Sequence, residues 1–318
     1  MTLVIPSFNR ANLILATIQS ALDQTHPFQE IIVVDDCSTD DTLAVLAPYQ
    51  GRITVIASEK VGVQVARNKG VAAARSPYIT LCDSDDLLQP DYVETVSGWL
   101  ARHPEYDTLY TNFQTFSDQH TDAEKFSKAP PGYFDGAERD GDFLSGIPDL
   151  YGKTVTFQPM FPSGMTTKKV FYQAIGGFDQ AFNGVGSEDW EYTLRAIENG
   201  NTAVCTKPLV LVRRHANNDS KNTLRQTSGE ITVLEHALAN HPIAQRYRSQ
   251  ILDGIDTRRL NIFELSFGTG QYSIAATVLS LIRTKPKSVK FRIKQTILFI
   301  RYPVRSLSLG IARTGTTA

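Results

Sequence analysis

The sequence predicts an α/β fold, a mostly parallel central sheet flanked by helices, with a helical C-terminal extension. Three observations carry that expectation. Short apolar runs alternate with helical-period runs through the first hundred residues, the rhythm of a parallel sheet with crossover helices. One of those runs, at 77–86, reads Pro-Tyr-Ile-Thr-Leu-Cys-Asp83-Ser84-Asp85-Asp86, so an apolar strand ends directly in three carboxylates. Open α/β sheets bind ligands in the crevice beyond the carboxyl ends of their strands. Finally, 318 residues, 42% hydrophobic and 20% charged, suffice for a sizeable core in one or two domains.

In chain order, Leu3-Val-Ile5 reads as a strand, and 11–23 as a helix with Leu13, Ile14, Thr17, Ile18, Ala21 and Leu22 near helical spacing. Ile31–Val34 is a second strand, closed by Asp35-Asp36-Cys37-Ser38, with Thr39 and Asp40 as caps for a helix over 41–47. A strand at 53–57, a helix over 62–75 and the strand 78–82 follow. Pro90 suits the first turn of a helix reaching about Arg102. Order is expected to lapse between 118 and 160, a Gly-, Pro-, Asp- and Ser-rich stretch of the kind used for lids and binding loops. A helix near 167–174, a helix over 188–199 capped by Ser187 and ended by Asn199-Gly200, and strands at 202–206 and 209–213 complete the body. From about 228 the pattern is helical. The expected organisation is 1–225 as one domain, divided into halves at 117/118, and 226–318 as a helical region.

Charge is unevenly distributed about a formal net of −1: residues 1–264 hold 23 basic and 33 acidic side chains, whereas 265–318 hold nine basic and no acidic ones. An acidic body with a basic tail makes nucleic acid an unfavoured partner and leaves the tail to meet an anionic surface. On a helix, Lys287, Lys290, Lys294, Arg301 and Arg305 share one side, while Val289, Ile293, Ile297 and Ile300 form an apolar strip. Such a basic amphipathic helix suits an anionic leaflet; the alternative is a helix packed on the rest of the protein with a solvated basic face. Cys37, Cys82 and Cys205 have no paired spacing, against a disulfide framework or zinc site. No basic leader precedes the first strand, and no run of 18 apolar residues occurs, so the expected location is cytoplasmic, with the tail at the inner membrane face.

Three acids at one strand end repel one another unless a cation or strong donors lie between them. Mg²⁺ or Mn²⁺ favours such oxygens and recruits substrate phosphates; the competing reading is a polar loop capping the next helix. Asp35 and Asp36 can accept from a ribose hydroxyl or a base N–H, or can shape a turn. Neither G-x-G-x-x-G nor G-x-x-x-x-G-K-[ST] is present, and Pro6-Ser7-Phe8-Asn9-Arg10 follows the first strand instead. Arg67 could neutralise a diphosphate or pair with the clustered acids. Asp189, in a first helical turn, would be ionised and able to accept a proton. Beside it stand Glu188 and Trp190, the latter either a face for a sugar ring or a core residue. His215 can join carboxylates around Mn²⁺, or can simply be solvated.

Val4-Ile-Pro-Ser-Phe-Asn-Arg10, Val33-Val-Asp-Asp-Cys-Ser-Thr-Asp40, Val65-Ala-Arg-Asn68, Leu81-Cys-Asp-Ser-Asp-Asp86 and Gly186-Ser-Glu-Asp-Trp-Glu191 stand in the order seen in family 2 glycosyltransferases of GT-A fold. Over about residues 1–215 the chain resembles that family. The resemblance implies an inverting, metal-dependent transfer of sugar from a nucleotide-diphosphate sugar, with UDP as the expected nucleotide. The acceptor would be a glycan or a lipid-linked hydroxyl. It implies Asp85 as ligand of Mn²⁺ or Mg²⁺ with His215 as a further one, Asp83 near the ribose or metal, and Asp86 as only a cap. Asp35, Asp36, Pro6, Phe8, Arg10 and Arg67 would serve the nucleotide, Asp36 meeting the base. Asp189 would be the catalytic base, with Glu188 and Trp190 toward sugar and acceptor. Cys37 and Cys82 stand where the family more often has Gly and Leu or Met. Two other readings share these residues: a catalytically silent nucleotide-sugar or glycan-binding module, and a sugar nucleotidyltransferase. The latter normally has a Gly-rich basic N-terminal loop, absent here.

Overall fold

The computed structural model describes residues 1–117, 120–215 and 222–301. Among these the strands are β1 (Thr2–Ser7), β2 (Glu30–Asp35), β3 (Thr54–Ala57), β4 (Tyr78–Leu81), β5 (Leu87–Leu88), β6 (Thr108–Ser117), β7 (His120–Thr121), β8 (Glu138–Asp140), β9 (Phe143–Ser145), β10 (Met165–Lys168) and β11 (Thr202–Arg213). The helices are α1 (Ile14–Leu22), α2 (Thr42–Leu46), α3 (Val63–Ala73), α4 (Tyr92–Arg102), α5 (Leu150–Thr156), α6 (Lys169–Ala174), α7 (Glu188–Asn199), α8 (Thr223–Asn240), α9 (Arg248–Gly268), α10 (Tyr272–Leu281) and α11 (Val289–Arg301).

One sheet runs β3-β2-β1-β4-β10-β6-β11-β9-β8, with β5 on β11 and β7 on β6. Its first four strands are parallel, as their sequence rhythm requires. β10 then enters antiparallel between β4 and β6, so the sheet is mixed. Both faces are covered, which is why the parallel strands read as continuous apolar runs. Leu3 and Ile5 of β1 pack with Ile14, Ile18 and Trp99 on one side; Val4 packs with Ala66, Val71 and Tyr192 on the other. A Cβ on Gly70 would lie 2.3 Å from Val4 Cγ1, so only glycine lets α3 settle this closely on β1.

The segment expected to lack order holds β7, the β8–β9 hairpin and α5. Its strands are two or three residues long and β8 is exposed Glu-Arg-Asp, so no apolar alternation announces them. The two strands expected at 202–213 are one, β11, whose register shifts around Pro208 where the ladder lacks a donor. Ser187 does not cap α7: it sits in the left-handed region at φ 56° and its hydroxyl donates to Gln226.

The chain divides into two compact units, Met1–Ile251 and Leu252–Ala318. The second has its own small core of Phe263, Ala275, Leu279, Ile282, Phe291 and Leu298. On α11, Phe291 and Leu298 are buried, whereas Val289, Ile293, Phe299 and Ile300 are 72%, 55%, 70% and 73% exposed. Lys294, expected on a solvated basic face, pairs instead with Glu264 and lies over Phe267. Arg305 and Arg313 fall outside the described residues. No described helix is long and apolar enough to cross a membrane.

Candidate active site

β1, β2 and β4 run parallel, so Ser7, Asp35 and the Asp83–Asp86 loop emerge along one edge. The three acids of that loop have separate partners. Asp83 Oδ1 accepts from Arg67 Nη2 at 2.7 Å. Asp85 Oδ2 lies 2.8 Å from His215 Nε2 and 3.7 Å from Arg10 Nε. Asp86 is buried, accepting from Ser163 Oγ at 2.6 Å and from the Arg213 amide at 2.9 Å. It is therefore a latch joining three segments, not the helix cap expected. Burial, with Asp83 and Asp85 alongside, pushes its carboxyl well above the usual carboxylate range.

Asp85 and His215, expected to share a metal, are brought together from 130 residues apart and are largely buried. The carboxylate oxygen suits Mn²⁺ or Mg²⁺, and the imidazole nitrogen beside it is a donor better suited to Mn²⁺ than to the harder Mg²⁺. The donor set thus fits a divalent cation. Arg10 approaches the same oxygen and would share the neighbourhood of a bound phosphate.

On the nucleoside side the expected contacts are more committed than the sequence implies. Asp35, 1% exposed, accepts from the Ser38 amide at 2.9 Å and its hydroxyl at 2.5 Å; it shapes the loop and faces no open space. Asp36 accepts from the amides of Val61 and Gly62 at 2.7 and 2.9 Å, one on each oxygen. Each oxygen keeps a further lone pair. Pro6 is a buried residue of β1 paired in register with Val34, so it borders the loop without lining it. Phe8 is half-buried beneath the Lys60 ammonium, 4.4 Å from the ring centre. Asn9 and Cys37 both have positive φ, 52° and 66°, and lace the two loops through Asn9 N to Ser38 Oγ. That backbone is one glycine adopts without strain, in keeping with the Gly that the resemblance implies at position 37. Arg67 is buried, donates to Asp83 and lies over the Phe178 ring, so it braces the acid loop instead of offering an open guanidinium.

α7 delivers Asp189. Its buried face is fixed by Tyr192 stacked on Phe178 at 4.6 Å, and by Glu191, whose two oxygens take Arg195 Nε and Nη2. Trp190 is 2% exposed and donates its indole N–H to the Thr154 carbonyl, so it is a core residue and offers no ring face to a sugar. Asp189 itself is partly buried. Desolvation, reinforced by Glu188 and opposed by Arg67, pushes its carboxyl up to about 7. Glu188 is partly exposed in the same first turn. A carboxylate poised near neutrality is suited to take a proton from a hydroxyl.

Several supports escaped the sequence reading. Ser163 holds the Asp83 amide at 2.9 Å as well as Asp86, and lies in an irregular segment without a motif. Arg213 adds its Nε on the Asp85 carbonyl; its place two residues before His215 was the available signal. Asn68 accepts from the Phe178 amide at 3.0 Å and donates to its carbonyl at 2.8 Å, fixing the turn that precedes α7. Glu191, His236 and His241 also converge, their ligand atoms within 4.8 Å of one another. Glu191 is already engaged by Arg195 on both oxygens, and His241 Nδ1 by Tyr151, so this trio reads as a brace between α7 and α8.

Against known proteins, the family model "Glycosyl transferase family 2" matches residues 2–149. TuaG of Bacillus subtilis (strain 168), whose name assigns it to teichuronic acid biosynthesis, is 36% identical over 134 residues, 41% of this chain and 53% of that protein. Chondroitin synthase of Escherichia coli is 38% identical over 97 residues, 30% of this chain and 14% of that one. The chain therefore spans about half the length of TuaG. Among solved structures, S. aureus TarS superposes with TM-score 0.63 at 18% identity, over 94% of this chain and 52% of that chain. TarS 1–349 in complex with UDP-GlcNAc gives TM-score 0.63 at 17% identity, over 87% and 79%. Residues 2–149 thus resemble glycosyl transferase family 2, and the fold is the GT-A fold of the TarS structures.

Proposed function

We propose that this chain is a metal-dependent inverting glycosyltransferase. It would move a sugar from a UDP-sugar to a hydroxyl of a glycan or lipid-linked acceptor in cell-surface polysaccharide or glycolipid synthesis. The observation that carries the reading is one site in which Asp189, poised near neutrality, feels the charges of Arg67 and Asp83 beside the Asp85–His215 pair. The UDP-GlcNAc complex of TarS and the polysaccharide names of the relatives support the donor and the setting.

Asp85 and His215 would hold a divalent cation, which when bound would supply charge neutralisation to the leaving diphosphate. Arg10, beside Asp85, adds a cation on the same side. Asp36 has lone pairs left for a base N–H, and the Phe8–Lys60 pair lies on the same loops. Arg67 orients Asp83 through one carboxylate oxygen, so the second oxygen remains for a ribose hydroxyl. Asp189 takes the acceptor proton as that oxygen attacks the anomeric carbon from the face opposite the diphosphate, which inverts configuration in one displacement. No second carboxylate nucleophile is needed.

UDP release measured with a panel of UDP-sugars and hydroxyl acceptors tests this. Release that requires Mn²⁺ or Mg²⁺ and stops with EDTA is expected. Donor binding without release for every donor and acceptor would instead identify a silent binding module.

The exposed apolar residues of α11, with exposed Lys287, Lys290 and Arg292, support a second part of the reading: contact with an anionic membrane surface. Substituting Ile293→Glu, Phe299→Glu and Ile300→Glu together should reduce cosedimentation with phosphatidylglycerol vesicles about tenfold or more, since each lost apolar insertion is worth about 1 kcal/mol or more. Equal sedimentation of both proteins would reject it.

A further inference from the structure

Lys125 stands out among the cationic side chains of the first unit. Asn112, buried at the centre of β6, grips its neighbours on both sides: Nδ2 donates to Glu124 Oε2 at 2.9 Å and Oδ1 accepts from the Phe126 amide at 3.0 Å. The Lys125 amide donates to the Phe113 carbonyl at 2.9 Å. The backbone here is thus fixed from three directions. The Lys125 ammonium lies 4.9 Å from the centre of the Phe157 ring. Among the described residues no carboxylate pairs with it at ion-pair distance. It is nevertheless partly withdrawn from water, and burial, with Lys128 nearby, lowers its pKa despite the attraction of Asp189 and Glu230. A desolvated ammonium resting on an aromatic face, with no anion of its own, is an arrangement that a bound oxyanion completes.

Phe157 is followed by Gln158, both of whose amide atoms are shielded and lack a hydrogen-bond partner among the described residues. Buried amides are rarely left so unless something outside the chain satisfies them. The same segment continues to Ser163, which holds the acid loop through Asp83 and Asp86. The ring and the unsatisfied amide therefore belong to one stretch that leads to the reaction centre, and the cation resting on that ring is within electrostatic reach of Asp189.

We infer that Lys125, Phe157 and Gln158 form an acceptor-side subsite for a sugar or polyol that carries an oxyanion, a carboxylate or a phosphate. The ring supports the apolar face of the sugar or polyol, the ammonium pairs with the oxyanion, and a small shift of the shielded Gln158 side chain brings its amide to the hydroxyls. This rests on the reading of Asp189 as the base that faces the acceptor.

The test is binding, so that it stands apart from turnover. With the full chain, UDP and Mg²⁺, saturation-transfer NMR would measure p-nitrophenyl β-D-glucuronide, sn-glycerol 3-phosphate and the neutral p-nitrophenyl β-D-glucoside. At least one anionic probe is expected to bind about tenfold tighter than the glucoside, the size of a single charge-assisted contact. Whichever anion is preferred identifies carboxylate or phosphate as the natural group. Lys125→Met should erase the preference and Lys125→Arg should keep it, which separates lost charge from misfolding. Equal binding of all three probes by the native chain, or a preference that survives Lys125→Met, would overturn the subsite. UDP release without anion preference would leave glycosyl transfer standing and remove only this inference; anion preference without any UDP release would do the reverse.

Discussion

Asp189→Asn is expected to lower turnover by about 10²–10⁴-fold, the usual contribution of a general base, while calorimetric affinity for UDP survives. The pH dependence follows from the same carboxyl. Because burial and Glu188 hold its pKa at about 7, native turnover should rise about tenfold per pH unit below neutrality and level off above it. Stability should move the opposite way. An unfolded Asp titrates near 3.9, so the folded protein holds this group with its full stability below about pH 4 and loses part of it as pH rises through about 7. Asp189→Asn removes that loss. At pH 8 the variant should resist urea better by about 2–4 kcal/mol, with the gap narrowing toward pH 4. A variant that turns over normally would remove Asp189 from the base role. One that is inactive but gains no stability at pH 8 would show that its carboxylate is not desolvated.

Asp85→Ala is expected to weaken Mn²⁺-dependent UDP binding by about 100-fold or more, because losing a ligand costs more than losing one of its outer supports. The fold should persist. The latch through Ser163 and the Arg213 amide belongs to Asp86, so the loop keeps its anchors when Asp85 is truncated. His215→Ala should give a smaller loss of the same kind, since Asp85 and Arg10 remain. Titration calorimetry with and without EDTA reads both. Undiminished metal-dependent binding in Asp85→Ala would place the cation elsewhere.

Much of this was legible in the sequence, for stated reasons. The parallel strands β1, β2 and β4 are buried on both faces and so read as apolar runs, and their acids mark the ligand edge. Asp85, His215 and Asp189 could be singled out because each has a residue type suited to the expected chemistry at its position, and the structure brings the first two together. For Trp190 and Arg67 the sequence left two readings open, and for Pro6 it named only one, because identity says nothing of which way a side chain points. Trp190 lies one residue after the base, and on a helix that rotates it by about 100°, into the core. The short strands β7–β9 and the insertion of β10 were invisible because pairing, not local pattern, makes them strands. Ser163 and Asn112 could not have been singled out, since their roles exist only across distances of about eighty and fourteen residues.

Arg67 and Asn68 are adjacent on α3, yet they grip different machinery. Arg67 holds Asp83 on the donor side, and Asn68 holds Phe178 in the turn before the helix that carries Asp189. One peptide bond therefore acts as a gauge block between the acid loop and the turn before α7. On the proposed function, the span that a sugar ring must bridge would be set by that helical dipeptide, and Gly70, two residues on, seats the helix hard against β1. Loops around the site could then differ in the sugar or acceptor they admit without disturbing a distance that has its origin in two neighbouring side chains.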